Sequence, residues 1–212
     1  MANPRVDDRM PAPRERLFRW SPEALAVAWI VLVAVAVVGR LWRPEWDGSR
    51  LWNVTPFVAV ALAAGAMFPS RLLAASVPLT ALAIGNVALP AYDNPWMAAV
   101  VYAATAFPVL LGGVVTRGRW PAAVGGALAG SLVFFLSTNL AHWAATADYP
   151  HTAAGLAACF AAALPFFRPL EDLAWTGIVF GGLAAADRIG AALAAREVVT
   201  AKAPATPAGR LD

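Results

Sequence analysis

The sequence predicts an all-α polytopic integral membrane bundle of about six transmembrane helices, plus one short re-entrant or interfacial helix. Hydrophobic residues make up 60% of the 212 positions and charged residues only 14%, whereas soluble domains carry roughly 25% charged residues. The mean hydropathy is +0.62. Between positions 51 and 167 the only charged residues are Arg71, Asp93, Arg117, Arg119 and Asp148. A bilayer accommodates so much apolar surface, and a soluble fold does not.

Seven apolar runs, separated by proline or charged residues, predict the helices. The first is preceded by Ser21-Pro22-Glu23, which is typical of a helix start because serine caps and proline suits the first turn. The basic turn at 117–119 separates the fourth run from the fifth. The runs cover 24–42, 54–68, 72–89, 96–115, 121–145, 152–167 and 173–186.

The distribution of basic residues decides whether the run 152–167 crosses the membrane. If it does not, six spans place 12 basic residues in the cytoplasm and 4 outside. If it does, seven spans give 9 against 7. Cytoplasmic loops carry the excess of Lys and Arg, so the count favours six spans with both termini in the cytoplasm. The run 152–167 is then the re-entrant or interfacial helix, whose ends need a covering of protein.

The chain ends are polar and predict a single membrane domain between two tails. We expect a disordered cytoplasmic arm over 1–20, a transmembrane helical domain over 21–195 and a disordered cytoplasmic tail over 196–212. The net charge of +3 reflects these ends and short loops, without the aromatic interleaving of a nucleic-acid groove. The predicted partner is therefore the lipid bilayer, with no nucleic acid, and the predicted location is a cell membrane.

The densest group of polar and aromatic residues lies near the predicted outer end of the fifth helix. Phe135, Asn139 and His142 share one helical face, and Trp143 and Tyr149 follow them. Polar side chains at membrane depth usually face the bundle interior or a watery cavity. One interpretation is a small-molecule pocket that opens to the outside, in which all five contact the ligand. The other is interhelical hydrogen bonding together with an aromatic interfacial belt.

Three further groups carry polar side chains. Asn53 and Thr55 precede the second run, either as an N-cap or as ligand-facing groups. Asn86 is a buried amide within the third run and needs a hydrogen-bond partner. Arg168 is most simply paired on the surface with one of the two acidic residues that follow it, at positions 171 and 172.

The residue types give little support to catalysis. His142 and His151 are the only histidines, and a metal site needs three or four converging ligands. Cys159, among alanines, is expected to be a small apolar filler. No phosphate-binding loop, Ser-His-Asp spacing, CxxC or HExxH occurs. We therefore predict no enzyme activity, no metal and no cofactor.

Two long segments resemble a bacterial family known as domain of unknown function 6580, whose members are described as candidate membrane transport proteins. They are NVTPFVAVALAAGAMF at 53–68 and FFLSTNLAHWAATADYPHTAAGLAACFAAALPFF at 134–167, followed by LEDLAWTGIVFGG at 170–182. The matched pattern comprises the Asn-x-Thr-Pro start, the FF-x-x-TN-x-x-x-W block, the YP-x-T-x-x-GL-x-x-C stretch and the PFF ending. The resemblance to a bacterial family implies that the membrane is the inner membrane of a bacterial cell. The family tends to carry an acidic residue late in the third helix, where this chain has Gly85-Asn86, so the resemblance leaves open whether Asn86 replaces a functional acid.

The predicted architecture is also similar to the substrate-binding S components of energy-coupling-factor transporters. That likeness implies capture of a small nutrient in an outward-facing pocket, with energy supplied by separate subunits. Asn53, Thr55, Asn139 and His142 would donate hydrogen bonds, while Phe135, Trp143 and Tyr149 would pack the ligand. The alternative is a non-catalytic membrane assembly or scaffold subunit whose polar residues only join helices. An intramembrane enzyme would require His142, His151 and Asp148 to converge.

Overall fold

A computed structural model describes residues 20–42, 45–46, 49–50, 54–89, 92 and 94–202. Within them the chain is almost wholly helical. The helices are α1 (Pro22–Leu41), α2 (Phe57–Met67), α3 (Arg71–Ala88), α4 (Pro95–Ala106), α5 (Pro108–Ala145), α6 (Ala153–Ala163), a 3₁₀ turn (Leu164–Phe166) and α7 (Pro169–Lys202). Two short antiparallel strands, β1 (Glu45–Trp46) and β2 (Ser49–Arg50), lie between α1 and α2.

The first helix begins where the sequence predicts. The Ser21 hydroxyl accepts a hydrogen bond from the backbone N–H of Ala24 at 3.2 Å, and Pro22 occupies the first turn. The second helix begins differently from the prediction. Its N-cap position is Pro56, without a side-chain cap, so Thr55 does not cap it and Asn53 lies outside the described residues. With Pro56 at the N-cap, the Thr55 side chain takes no part in capping α2.

The short helix α2 forms the centre of the bundle. All of its residues except Val58 and Gly65 are buried, and it contacts α1, α3, α4, α5 and α7. A helix that is apolar on every side is expected to be enclosed. Its 11 residues span about 16 Å, which is less than the roughly 30 Å hydrocarbon thickness. Enclosure by neighbouring helices permits so short a segment.

The long helix α5 folds back on itself at the predicted basic turn. A straight helix of 38 residues would place positions 108 and 130 about 33 Å apart. Instead, a Cβ on Gly130 would lie 3.0 Å from Cγ of Pro108, and one on Gly126 would lie 3.7 Å from Cγ2 of Val115. The two arms of α5 therefore pack side by side, and the first arm continues the span that α4 begins.

Five segments of the described chain are long and apolar enough to cross a membrane. They are Pro22–Leu41, Arg71–Ala88, Pro95–Thr116, Trp120–Ala145 and Pro169–Ala195. Together with the enclosed α2 they make the predicted bundle of about six helices. The α6 segment, Ala153–Phe166, is too short to be one of the five, in agreement with a re-entrant or interfacial helix.

Helix packing relies on glycine in α5 and not in α7. Gly126 and Gly130 lie against Leu62 and Val58 of α2, where an added Cβ would come within 2.9 Å of each side chain. Gly177 and Gly181 of α7 have nothing within 4 Å. Helix α7 also continues to Lys202, beyond the domain boundary predicted at 195.

Candidate functional site

The described residues enclose a cavity of about 330 Å³ at one end of the bundle. Here α1 and α3 end, α2, α4 and α7 begin, and the second arm of α5 approaches α6. We call this the cavity end. The lining comes from all of these segments: Arg40, Thr55, Phe57, Val58, Leu82, Tyr92, Val101, Thr105, Ser131, Phe134, Phe135, Thr138, Asn139, Ala163, Phe166, Phe167, Arg168 and Asp172.

A single arginine from the last turn of α1 supplies the cationic side of the cavity. Nη2 of Arg40 donates to Oδ1 of Asn86 at 2.7 Å. The amide nitrogen of Asn86 in turn donates to the hydroxyl of Tyr102 at 3.1 Å. The Arg40 guanidinium carbon lies 5.8 Å from the centre of the Phe57 ring, within the range of a cation–π interaction. Asn86 therefore has the partners that its buried amide requires, and it positions Arg40.

Arg40 is incompletely satisfied by the described residues. No carboxylate among them pairs with it, and its Nε is buried without a hydrogen-bond partner. A buried donor without a partner costs about 1–3 kcal/mol. The Arg40 side chain lies flat against α3 at Gly85. A Cβ at position 85 would lie 2.4 Å from Cδ of Arg40, so only the absence of a side chain there permits this contact.

The acidic side of the cavity lies at the start of α7. The hydroxyl of Ser131 donates to Oδ2 of Asp172, and it also lies 2.9 Å from the carbonyl oxygen of Ala127. A serine has one hydroxyl hydrogen, so these two acceptors compete for it. Next to this group, Nε of Arg168 donates to Oε1 of Glu171 at 2.6 Å. The predicted ion pair of Arg168 is thus with Glu171, and Asp172 faces the cavity instead.

Three of the predicted site residues line this cavity. They are Thr55, Phe135 and Asn139. The Phe135 ring packs against Phe167, with ring centres 4.8 Å apart. The Asn139 amide nitrogen donates to the carbonyl oxygen of Phe135 at 2.7 Å, within its own helix. Ligand contact by these three residues stays a prediction.

His142, Trp143 and Tyr149 are absent from the lining of this cavity, and Asn53 lies outside the described residues, so ligand contact by these four stays a prediction. Nε2 of His142 lies 3.0 Å from Oδ2 of Asp148, and the Tyr149 ring meets the His142 ring edge-on at 6.2 Å. The Trp143 indole donates to the carbonyl oxygen of Pro150 at 3.0 Å. These contacts hold the loop between α5 and α6 against the last turn of α5, in which position 142 lies.

The remaining possibility, an intramembrane enzyme, requires the side chains of His142, His151 and Asp148 to converge. His142 and Asp148 do meet, but Nε2 of His151 lies 3.2 Å from the carbonyl oxygen of Thr146. In the part of the chain that the structure describes, no group of three or more His, Cys, Asp or Glu side chains could hold a metal ion. The two histidines and Asp148 therefore make contacts that hold the loop between α5 and α6 together.

Sequence reasoning missed the charged residues of the cavity. The sequence did not single out Arg40, and it indicated Asp172 only as one of two surface partners for Arg168. A usable signal was present, since Arg40 and Asn86 both lie near the ends of spans that finish on the same side of the membrane. Two such polar groups at equal depth are expected to find each other, because unpartnered polar groups in a membrane are costly.

The family comparison agrees with the extent of this bundle. The chain matches the model described as "Family of unknown function (DUF6580)" over residues 20–193. That range includes every residue of the cavity. No curated protein and no solved structure shows detectable similarity to the chain.

Proposed function

The chain belongs to the DUF6580 family of unknown function, and we propose that it is a membrane transport protein that binds a small nutrient in the cavity. One observation carries this proposal. Among apolar helices, the cavity holds an arginine that has no counter-charge among the described residues and an aspartate with its own hydroxyl donor. Charged side chains inside a membrane domain usually mark a substrate or ion pathway. A volume of about 330 Å³ also falls at the small end of ligand pockets, roughly 300–1,000 Å³.

The distribution of basic residues along the sequence supports capture from outside the cell. If the excess of basic residues is cytoplasmic, both termini lie in the cytoplasm of a bacterial cell and the cavity end faces outward. Separate subunits would then supply the energy, as the likeness to S components expected from the sequence implies. An S-component-like role therefore predicts that transport depends on an energising module with its own ATPases.

Orientation can be measured with cysteines placed at opposite ends of the bundle. In a Cys159→Ala background, Asp148→Cys would mark the cavity end and Ser70→Cys the other end; both native positions are exposed. A membrane-impermeant maleimide added to spheroplasts should label position 148 and leave position 70 unlabelled until the membrane is opened. The reverse pattern would contradict an outward-facing cavity.

Occupation of the cavity can be tested by adding bulk at its rim. Ala163 lines the cavity, whereas the neighbouring Ala162 is exposed and is absent from the lining. We expect the protein in nanodiscs to retain a small molecule in native mass spectrometry. Ala163→Trp should expel that molecule, and Ala162→Trp should keep it. Equal occupancy in both variants, or none in the unaltered protein, would contradict a binding cavity.

A scaffold role is the second candidate, and one observation favours it. Gly177 and Gly181 lie four residues apart on one side of α7, and a Cβ on either would meet no atom within 4 Å; such small-residue faces suit close helix contact. Under this alternative, Gly181→Leu should dissociate a complex that Ala163→Trp leaves intact. Chemical cross-linking in native membranes, followed by size analysis, distinguishes the two roles.

A further inference from the structure

The strongest unexplained feature of the cavity is the uncompensated charge on Arg40. A guanidinium stays protonated in proteins, and its charge is poorly tolerated in an apolar bundle unless an anion lies near. Among the described residues, its polar contact is with the uncharged amide of Asn86. The carboxylates of Glu171 and Asp172 are engaged with Arg168 and Ser131. The described part of the chain therefore leaves the counter-charge of Arg40 to be supplied by something else.

The donors of Arg40 are arranged to receive such an anion. Asn86 takes one hydrogen of Nη2, and Nε is buried against α3. This leaves Nη1 and the second hydrogen of Nη2 on a side chain that lines the cavity. Paired guanidinium N–H groups match the two oxygens of a carboxylate. Because Asn86 is itself held by Tyr102, the guanidinium is positioned before any ligand arrives.

The rest of the lining describes the remainder of the ligand. The Phe57 ring lies beside Arg40, and the packed rings of Phe135 and Phe167 form an apolar wall. Asp172 on the opposite element disfavours a second negative group. Such a cavity suits an apolar or aromatic body that carries one acidic group.

We infer that the ligand is an amphipathic monocarboxylate, whose carboxylate is bound by Arg40 and whose apolar body lies against the phenylalanine rings. This inference rests on the proposed function, since it names the chemical class that the same cavity takes. Asn86 and Tyr102 are positioning residues, because they act on the ligand through Arg40.

A charged and an uncharged version of one small molecule test this inference. The probes are 3-phenylpropanoate and its neutral counterpart 3-phenylpropanamide, added to the full chain in nanodiscs. The readout is the Tm followed by tryptophan fluorescence, from which a Kd is obtained by its dependence on probe concentration. We expect the carboxylate to raise the Tm and the amide to bind roughly tenfold or more weakly, the ratio expected when a charge-assisted hydrogen bond is lost.

Two variants locate the effect on Arg40. Arg40→Gln removes the charge of the guanidinium. Asn86→Asp keeps an acceptor for Arg40, but the new carboxylate neutralises the positive charge of Arg40. Both should weaken 3-phenylpropanoate roughly tenfold or more and leave the amide unchanged. Arg188→Gln makes the same charge change at an exposed position of α7 and should leave both probes unchanged. If Arg40→Gln fails to fold, Asn86→Asp decides the question.

The outcomes separate this inference from the proposed function. Equal binding of the two probes, unaltered carboxylate binding in Asn86→Asp, or no binding of 3-phenylpropanoate would each overturn the monocarboxylate class. If the amide binds as tightly as the carboxylate and Ala163→Trp blocks both, the cavity binds ligands without an Arg40 anchor, and only the monocarboxylate class fails. If Ala163→Trp leaves carboxylate binding intact, the ligand lies elsewhere and both proposals fail.

Discussion

Gly112 of α5 lies against the backbone of Gly65 in α2, so closely that a Cβ on Gly112 would be 2.1 Å from the carbonyl carbon of Gly65. The reverse contact is equally tight, since a Cβ on Gly65 would lie 2.2 Å from the carbonyl oxygen of Val109. Two helices approach this closely only where both lack side chains. This crossing fixes α2 in the centre of the bundle, at the end opposite the cavity.

The first prediction concerns this crossing. Gly112→Ala should destabilise the protein by about 2 kcal/mol or more, because the clashing atoms belong to the backbone and cannot rotate away. Gly125→Ala is the matched control in the same helix, where nothing lies within 4 Å. That change should be neutral or stabilising by about 0.5–1 kcal/mol. Unfolding in mixed micelles measures both, and equal stabilities would contradict the close crossing.

The second prediction concerns the seating of α6. A Cβ on Gly155 would lie 2.0 Å from the carbonyl oxygen of Pro150, so Gly155→Ala should push α6 away from the loop before it. Cys159 reports this movement, because it is 2% exposed and burial raises the pKa of its thiol. N-ethylmaleimide should react slowly with the unaltered protein and much faster with Gly155→Ala.

The control for this experiment is Gly177→Ala, at a position with open space around it. It should leave the labelling rate of Cys159 unchanged. Rapid labelling of the unaltered protein would show that α6 does not cover the thiol as described.

The third prediction concerns a hydrogen bond between two spans. The Trp29 indole donates to the Ser76 hydroxyl at 2.9 Å, and that hydroxyl donates to the carbonyl oxygen of Leu73 at 2.7 Å. A double-mutant cycle of Trp29→Phe and Ser76→Ala should give a coupling energy of about 0.6 kcal/mol, the average for such bonds in membranes. Additive effects of the two changes would mean that the bond contributes nothing to stability.

The fourth prediction tests how Arg40 is positioned. Gly85→Ala keeps every charge of the cavity but would bring a Cβ within 2.5 Å of Nε of Arg40, so the side chain must move. We expect weaker binding of 3-phenylpropanoate without a change in net charge. Gly190→Ala, at an open position on α7, should leave the same Kd unaltered. Unchanged binding in Gly85→Ala would show that the flat course of Arg40 is unimportant for the ligand.

Much of the fold follows from local sequence properties. Hydropathy and length identify the spans, the Ser21-Pro22 start is local chemistry, and the basic turn at 117–119 coincides with the fold-back of α5. The run at 152–167 is short, and the distribution of basic residues along the chain favours six spans without it. These features depend on the chain's interaction with the bilayer and on neighbouring residues, so a sequence carries them directly.

The composition of the site was decided by tertiary structure. Helical periodicity grouped Phe135, Asn139 and His142, but it gave no information on how far along the helix the cavity extends. Arg40 and Asn86 meet because α1 and α3 end side by side, and Gly85 lets them do so. In helices that are apolar on nearly all sides, the pattern of side chains does not specify which face meets which neighbour. Close backbone contacts such as Gly65 with Gly112 make that choice, and they exist only in the folded bundle.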